Sequence, residues 1–125
     1  MTAPAYNTVS WFQVGSDDPE GVKRFYGDLF GWNFTPDPNG GGKYDLVGYP
    51  GADRPNGGIA HTDAAQNHAI FLVVVEDVAA VVTRTERIGG KVLVPPTTGS
   101  DGLIFADLLD PSGNHFGVFS PPPAG

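Results

Sequence analysis

The stretch DPEGVKRFYGDLFGW, Asp18–Trp32, decides the fold, because a second stretch repeats its grammar. Asp18-Pro19-Glu20 reads as a helix start. Asp18 can cap free backbone N–H groups, Pro19 sits where its missing N–H costs nothing, and Glu20 complements the helix dipole. Val22, Phe25, Tyr26, Leu29 and Phe30 recur at helical spacing and predict one apolar stripe, with Lys23, Arg24 and Asp28 on the other side. Gly31 ends the helix, and Trp32-Asn33-Phe34 starts a strand. A shift of 59 residues lays Phe12 on Phe71, Asp18 on Asp77, Val22 on Val81, Gly31 on Gly90 and Pro36 on Pro95. Strand, capping aspartate, amphipathic helix, glycine stop and strand thus occur twice, and such a period points to a repeated architecture.

Working outward, Val9 to Val14 is apolar enough for the first strand, and residues 1 to 7 read as a loose tail. After the first helix come strands at Trp32–Thr35, Lys43–Tyr49 and Gly57–Thr62, with Asn39–Gly42 as a glycine-rich turn that lacks any phosphate motif. His68–Val75, with three consecutive valines, is a strand. Asp77 starts the second helix, whose expected buried stripe is Val78, Val81, Val82, Thr85 and Ile88, stopped by Gly89-Gly90. Val92–Val94 is a strand closed by Pro95-Pro96, Leu103–Leu109 is another, and Asp110-Pro111-Ser112-Gly113-Asn114 is a tight turn before the last strand, His115–Phe119. The class is α+β: two tandem βαβββ modules, about 8–62 and about 68–120, forming an open-barrel cleft within one domain over 1–125. One helix covers one face of each four-stranded sheet, and a cleft between the other faces is the natural place for a ligand.

Composition narrows the function. The 125 residues carry a net charge of −7. Such a surface repels phosphate backbones, and no basic stripe offsets it, so nucleic acid is not an expected partner. The absence of cysteine excludes disulfides, thiolate nucleophiles and cysteine-type metal sites. The first seven residues have neither a basic region nor an apolar core, so no signal peptide is expected. No apolar run approaches the ~18 residues of a membrane span. The expected location is the cytoplasm, without a membrane partner.

The repeat resembles the vicinal oxygen chelate superfamily, also called the glyoxalase/bleomycin-resistance/dioxygenase superfamily. The resemblance is carried by Asp18-Pro19-Glu20, Phe25-Tyr26, Leu29-Phe30-Gly31-Trp32, Glu76-Asp77-Val78, Gly89-Gly90-Lys91-Val92 and Asp110-Pro111-Ser112-Gly113-Asn114. It implies paired βαβββ modules and, in the members that do chemistry, one divalent metal held by His, Gln or Glu from the first and last strand of each module. Carried over by position, those ligands would be Trp11, Ile70, Gly117 and Ala60, or His61 with a slip of one. Trp, Ile, Gly and Ala offer no useful lone pair to such a metal. No metal and no cofactor is therefore expected, and glyoxalase, extradiol dioxygenase and metal-dependent transferase chemistry is put in doubt.

Strand parity gives the expected lining of the cleft. Phe12 and Val14 face the first helix, against Phe25 and Leu29, so Trp11 and Gln13 face the cleft. His68, Ile70 and Leu72 join them from the fifth strand, Phe105 and Asp107 from the seventh, and His115 and Gly117 from the last. No catalytic residue is assigned. Ser10, His68 and Asp107 could be written as a triad, but Ser10 has helix-side parity and no nucleophile elbow surrounds any serine. The expected function is metal-independent binding of a small, partly apolar organic molecule, antibiotic sequestration being one version. The alternative is a lyase or dioxygenase of the same superfamily with an atypical metal site. A third reading has the cleft filled by Trp11, Ile70 and Phe105 as core. A homodimer is expected, since open sheet edges invite pairing.

Overall fold

The computed structural model describes residues 5–122. Met1–Pro4, the start of the expected tail, and residues 123–125 lie outside them. The elements are β1 (Thr8–Ser16), α1 (Pro19–Phe30), β2 (Asn33–Pro36), β3 (Tyr44–Gly48), β4 (Gly57–His61), β5 (His68–Val74), α2 (Val78–Arg87), β6 (Lys91–Thr98), β7 (Ile104–Leu109) and β8 (His115–Ser120). This is an α+β chain in which strand–helix–strand–strand–strand occurs twice. Trp11–Ala69 forms one compact unit, and the described residues up to Ser10 together with those from Ile70 onward form the other.

The helix starts follow from local chemistry. The Asp18 carboxylate accepts the Gly21 N–H at 3.1 Å, and the Asp77 carboxylate accepts the Ala80 N–H at 3.1 Å. Gly31 closes α1 in the left-handed region, φ 74°, where its N–H reaches the Gly27 carbonyl. In the first unit the strand order is β2-β3-β4-β1, and in the second it is β5-β8-β7-β6. The β1–β4 and β5–β8 pairs are parallel, while β2–β3, β3–β4, β6–β7 and β7–β8 are antiparallel. A parallel pair needs a long crossover, and here each crossover carries the helix and two strands.

The second unit has the more regular core. Val78 and Val82 of α2 meet Val75, Ala106, Leu108 and Val118, all buried. In the first unit Val47 and Ile59 are buried in the sheet, but α1 has no fully buried residue. Among the described residues no helix is long and apolar enough to cross a membrane.

Four sequence expectations are corrected. Lys23 points inward, its ammonium 3.3 Å from the buried Asp45 carboxylate, whereas Phe25 and Leu29 are exposed. Phe12 therefore packs on Trp32 and Tyr49, with ring centroids 5.4 and 6.3 Å away, and Tyr26 stacks on the same Trp32. Ile88 falls outside the buried stripe, because α2 ends at Arg87 and Ile88 is its cap. Pro95-Pro96 do not close a strand. β6 runs through them to Thr98, with its register shifted between Val94 and Thr97. As the outer strand of its unit, β6 tolerates missing N–H groups at such an irregularity. Asn7, expected in a loose tail, adopts φ 67° and donates its N–H to the Val74 carbonyl at 2.7 Å.

Candidate functional site

In the first unit Asp45 and Val47 of β3 are buried on the α1 side, which turns Tyr44, Leu46 and Gly48 to the opposite face. Trp11 joins Tyr44 there, its indole N–H donating to the Tyr44 hydroxyl at 3.0 Å. Gln13, two residues along β1, lies 3.0 Å from His68 Nε2. The other ring nitrogen, His68 Nδ1, lies 2.8 Å from the Gln66 carbonyl, which can only accept. Nδ1 therefore carries the proton, and in the neutral ring Nε2 accepts from the Gln13 amide.

Two glycines make room for these rings. A side-chain carbon at Gly58 would collide with the Tyr44 ring, and one at Gly15 would collide with the His68 imidazole. The open face of the first unit is thus a layer of aromatic rings laid on bare backbone, with an indole, a phenol, an amide and an imidazole joined pairwise. Tyr44 escaped the sequence reading. Alternation along β3 against the buried Asp45 and Val47 is the signal that would have found it.

In the second unit Ala106 and Leu108 belong to the α2-side core, so Phe105 and Asp107 occupy the other face. Asp107 sits opposite Gly117 in the β7–β8 ladder and takes a hydrogen bond from His115 Nε2 at 3.1 Å. Leu72 lies opposite Gly117 in the β5–β8 ladder, where a side-chain carbon at Gly117 would crowd its tip. Ile70 and Leu72 are buried. The residues expected to line the site therefore gather in two places: Trp11, Gln13 and His68 in the first unit, and Leu72, Asp107, His115 and Gly117 around β8 in the second.

A third His–Asp contact lies on the helix side. His61 Nε2 donates to Asp45 Oδ2 at 3.0 Å, and the Lys23 ammonium reaches the same oxygen while holding Glu20 at 2.8 Å. Burial pushes the Asp45 carboxyl up, but hydrogen bonds from His61 and Lys23, with their charges, hold it below the ordinary carboxylate range. For Lys23 the hydrogen bond to Glu20 is the main cause of a raised pKa, opposed by burial and aided by Asp45.

These placements test the metal that the fold suggests. The four positions carried over as ligands hold Trp11, Ile70, Gly117 and Ala60. His61, one residue away, is on the α1 side with Asp45, and His115 is joined to Asp107. Among the described residues no group of three or more His, Cys, Asp or Glu is arranged to hold a metal ion. The donor set does not fit a resident divalent metal.

A family model described as Glyoxalase/Bleomycin resistance protein/Dioxygenase superfamily matches residues 8–118. The chain is 31% identical over 120 residues to "Putative glyoxylase CFP32" of Mycobacterium tuberculosis, a match covering 90% of this chain and 45% of that protein. It is also 31% identical over 137 residues to "Anthracycline biosynthesis protein DnrV" of Streptomyces peucetius, covering 95% of this chain and 49% of that protein. The chain spans about half the length of these curated relatives. Among solved structures, the Mn(II)-bound glyoxalase from Novosphingobium aromaticivorans superposes with a TM-score of 0.63 at 21% identity, over 92% of this chain and 39% of that one. At that identity the likeness is one of fold.

Proposed function

This chain belongs to the glyoxalase/bleomycin resistance protein/dioxygenase superfamily, and from that premise we propose that it binds a small, partly apolar organic molecule without a metal. The contact surface is the open face of the first unit, with Trp11, Tyr44, Gln13 and His68 as its recognition groups. One observation carries this reading: the Trp11–Tyr44 and Gln13–His68 pairs lie on Gly58 and Gly15, with aromatic area and hydrogen-bonding groups on one face. Flat rings suit a planar ligand, and the amide and imidazole fix its orientation. The net charge of −7 favours a cationic molecule. An anthracycline, a planar polycycle bearing an amino sugar, has both properties, and a relative named for anthracycline biosynthesis makes it the probe of choice. Sequestration of such a molecule needs no chemical step.

Phe105, Asp107 and His115 form a second polar and aromatic face in their own unit. The two βαβββ modules, about 8–62 and 68–120, are read as one domain. Elemental analysis of protein purified without a histidine tag tests the metal-free reading. Expected is far less than one transition-metal ion per chain. About one Zn, Ni, Mn or Fe per chain, lost on His68→Ala, would overturn it and favour an enzyme.

A further inference from the structure

We propose that the first unit carries a sugar-binding pocket beside its layer of aromatic rings, so that the molecule it takes is an aromatic glycoside. This rests on the ligand reading above and names the class of that ligand. Asn33 and Thr35 of β2 pair with Gly48 and Leu46 of β3. Leu46 and Gly48 share the open face with Tyr44, by alternation against the buried Asp45 and Val47. The Asn33 amide lies over Gly48, where a side-chain carbon would collide with its oxygen. The loop after β3 turns back on itself: the Ala52 N–H donates to the Tyr49 carbonyl at 3.0 Å, and Gly51 takes φ 80°. Asp53 and Arg54 of that loop complete a pocket of about 180 Å³ with these residues.

Size and position decide what part of a ligand enters. Sites for whole ligands run to roughly 300–1,000 Å³, so this pocket holds one ring of a larger molecule. The remainder has its place alongside. Leu46 lines the pocket and pairs with Gly58, on which the Tyr44 ring lies. Tyr44 is roughly 7 Å from Leu46 along β3, two residues of strand. A glycosidic bond can therefore join a planar part on Trp11 and Tyr44 to a second ring in the pocket. The lining selects a sugar for that ring. Sugars carry neighbouring hydroxyls that both donate and accept, above a C–H face. Here the Asp53 carboxylate accepts, the Arg54 guanidinium donates, the Asn33 amide and Thr35 hydroxyl do both, and Leu46 offers an apolar patch. Asp53 and Arg54 form no ion pair among the described residues. An anionic group would meet the Asp53 carboxylate. Asn56, which follows Pro55 of the pocket wall, has a buried side-chain carbonyl oxygen with no hydrogen-bond partner among the described residues. Such an acceptor is costly without a donor, and a hydroxyl or ammonium supplies one where an anion has none.

The test is tryptophan fluorescence titration with doxorubicin, an anthracycline glycoside, and with its sugar-free aglycone. Salt at about 0.3 M screens the general attraction of a cation to a chain of net charge −7. The wild type should bind the glycoside at least ~10-fold more tightly than the aglycone, which lacks the sugar's hydrogen bonds. Thr35→Val and Arg54→Ala, both at exposed positions, should each weaken glycoside binding at least ~5-fold and leave aglycone binding unchanged. Arg54→Ala also makes the chain more acidic, so a cation held only by net charge would bind that variant more tightly. If one variant fails to fold by circular dichroism, the other decides. Equal affinity for glycoside and aglycone would overturn the sugar pocket and leave the ring layer as the binding surface. So would folded variants that bind the glycoside as tightly as the wild type or more tightly, or that lose both ligands alike. Saturation by neither ligand up to about 100 μM would overturn the ligand reading together with the pocket.

Discussion

Asp45 with His61 and Asp107 with His115 are the same two residue types on the third and fourth strands of their modules, joined at 3.0 and 3.1 Å. They point to opposite sides. The first pair lies under α1, where Lys23 adds a third charge and Asp45 is only 7% exposed. The second lies away from α2, beside Gly117. A sheet has period two, so one residue of register decides whether such a pair lies under the helix or on the sheet's other face. The helices differ accordingly. α2 packs by valines, whereas α1 packs by Lys23, Tyr26 and the Trp32 cluster.

The largest effect should come from the valine-packed unit. Leu108→Ala, at a fully buried position, should cost about 3–4 kcal/mol in urea melts. Leu29→Ala on α1 should cost below ~0.5 kcal/mol in the monomer. Equal losses would erase the contrast between the helices.

Next is the contrast between the pairs. Asp45→Ala strands a part-buried lysine and should cost about 2–3 kcal/mol, against about 1 kcal/mol for Asp107→Ala. The sign with pH follows from the lowered Asp45 carboxyl. Its stabilisation is present above the unfolded carboxyl value of about 4 and is lost as pH falls through the lower folded value. Asp45→Asn should therefore flatten the acid side of the stability profile below about pH 4. An acid limb identical to the wild type would remove Asp45 as its source.

A smaller change sharpens the open face of the first unit. Gly58→Ala must push the Tyr44 ring off β4. It should cost roughly 1–2 kcal/mol of stability and weaken anthracycline binding. Unchanged binding would show that Tyr44 takes no part.

Much of this was legible in local sequence. The caps at Asp18 and Asp77 use a side chain and an N–H three residues on, and the turn at Asp110 closes on Ser112 and Asn114. Alternation along β1 likewise separated Phe12 from Trp11. Apart from Ile88, which falls at the end of its own helix, the misses depend on distant partners. Nothing near Lys23 announces Asp45, yet that carboxylate turns the lysine inward and leaves Phe25 and Leu29 outside. Nothing near Pro95 shows that its strand lies at the edge. Tyr44 needed two facts together, the alternation of β3 and the bare backbone at Gly58.

Tryptophan fluorescence titration with an anthracycline, in EDTA, tests metal-free binding at the open face most directly. Wild-type protein should show saturable quenching, and Trp11→Phe should weaken affinity at least ~10-fold while its urea midpoint stays near that of the wild type. A Trp11→Phe variant that binds as tightly as the wild type, or quenching that EDTA abolishes, would contradict the account.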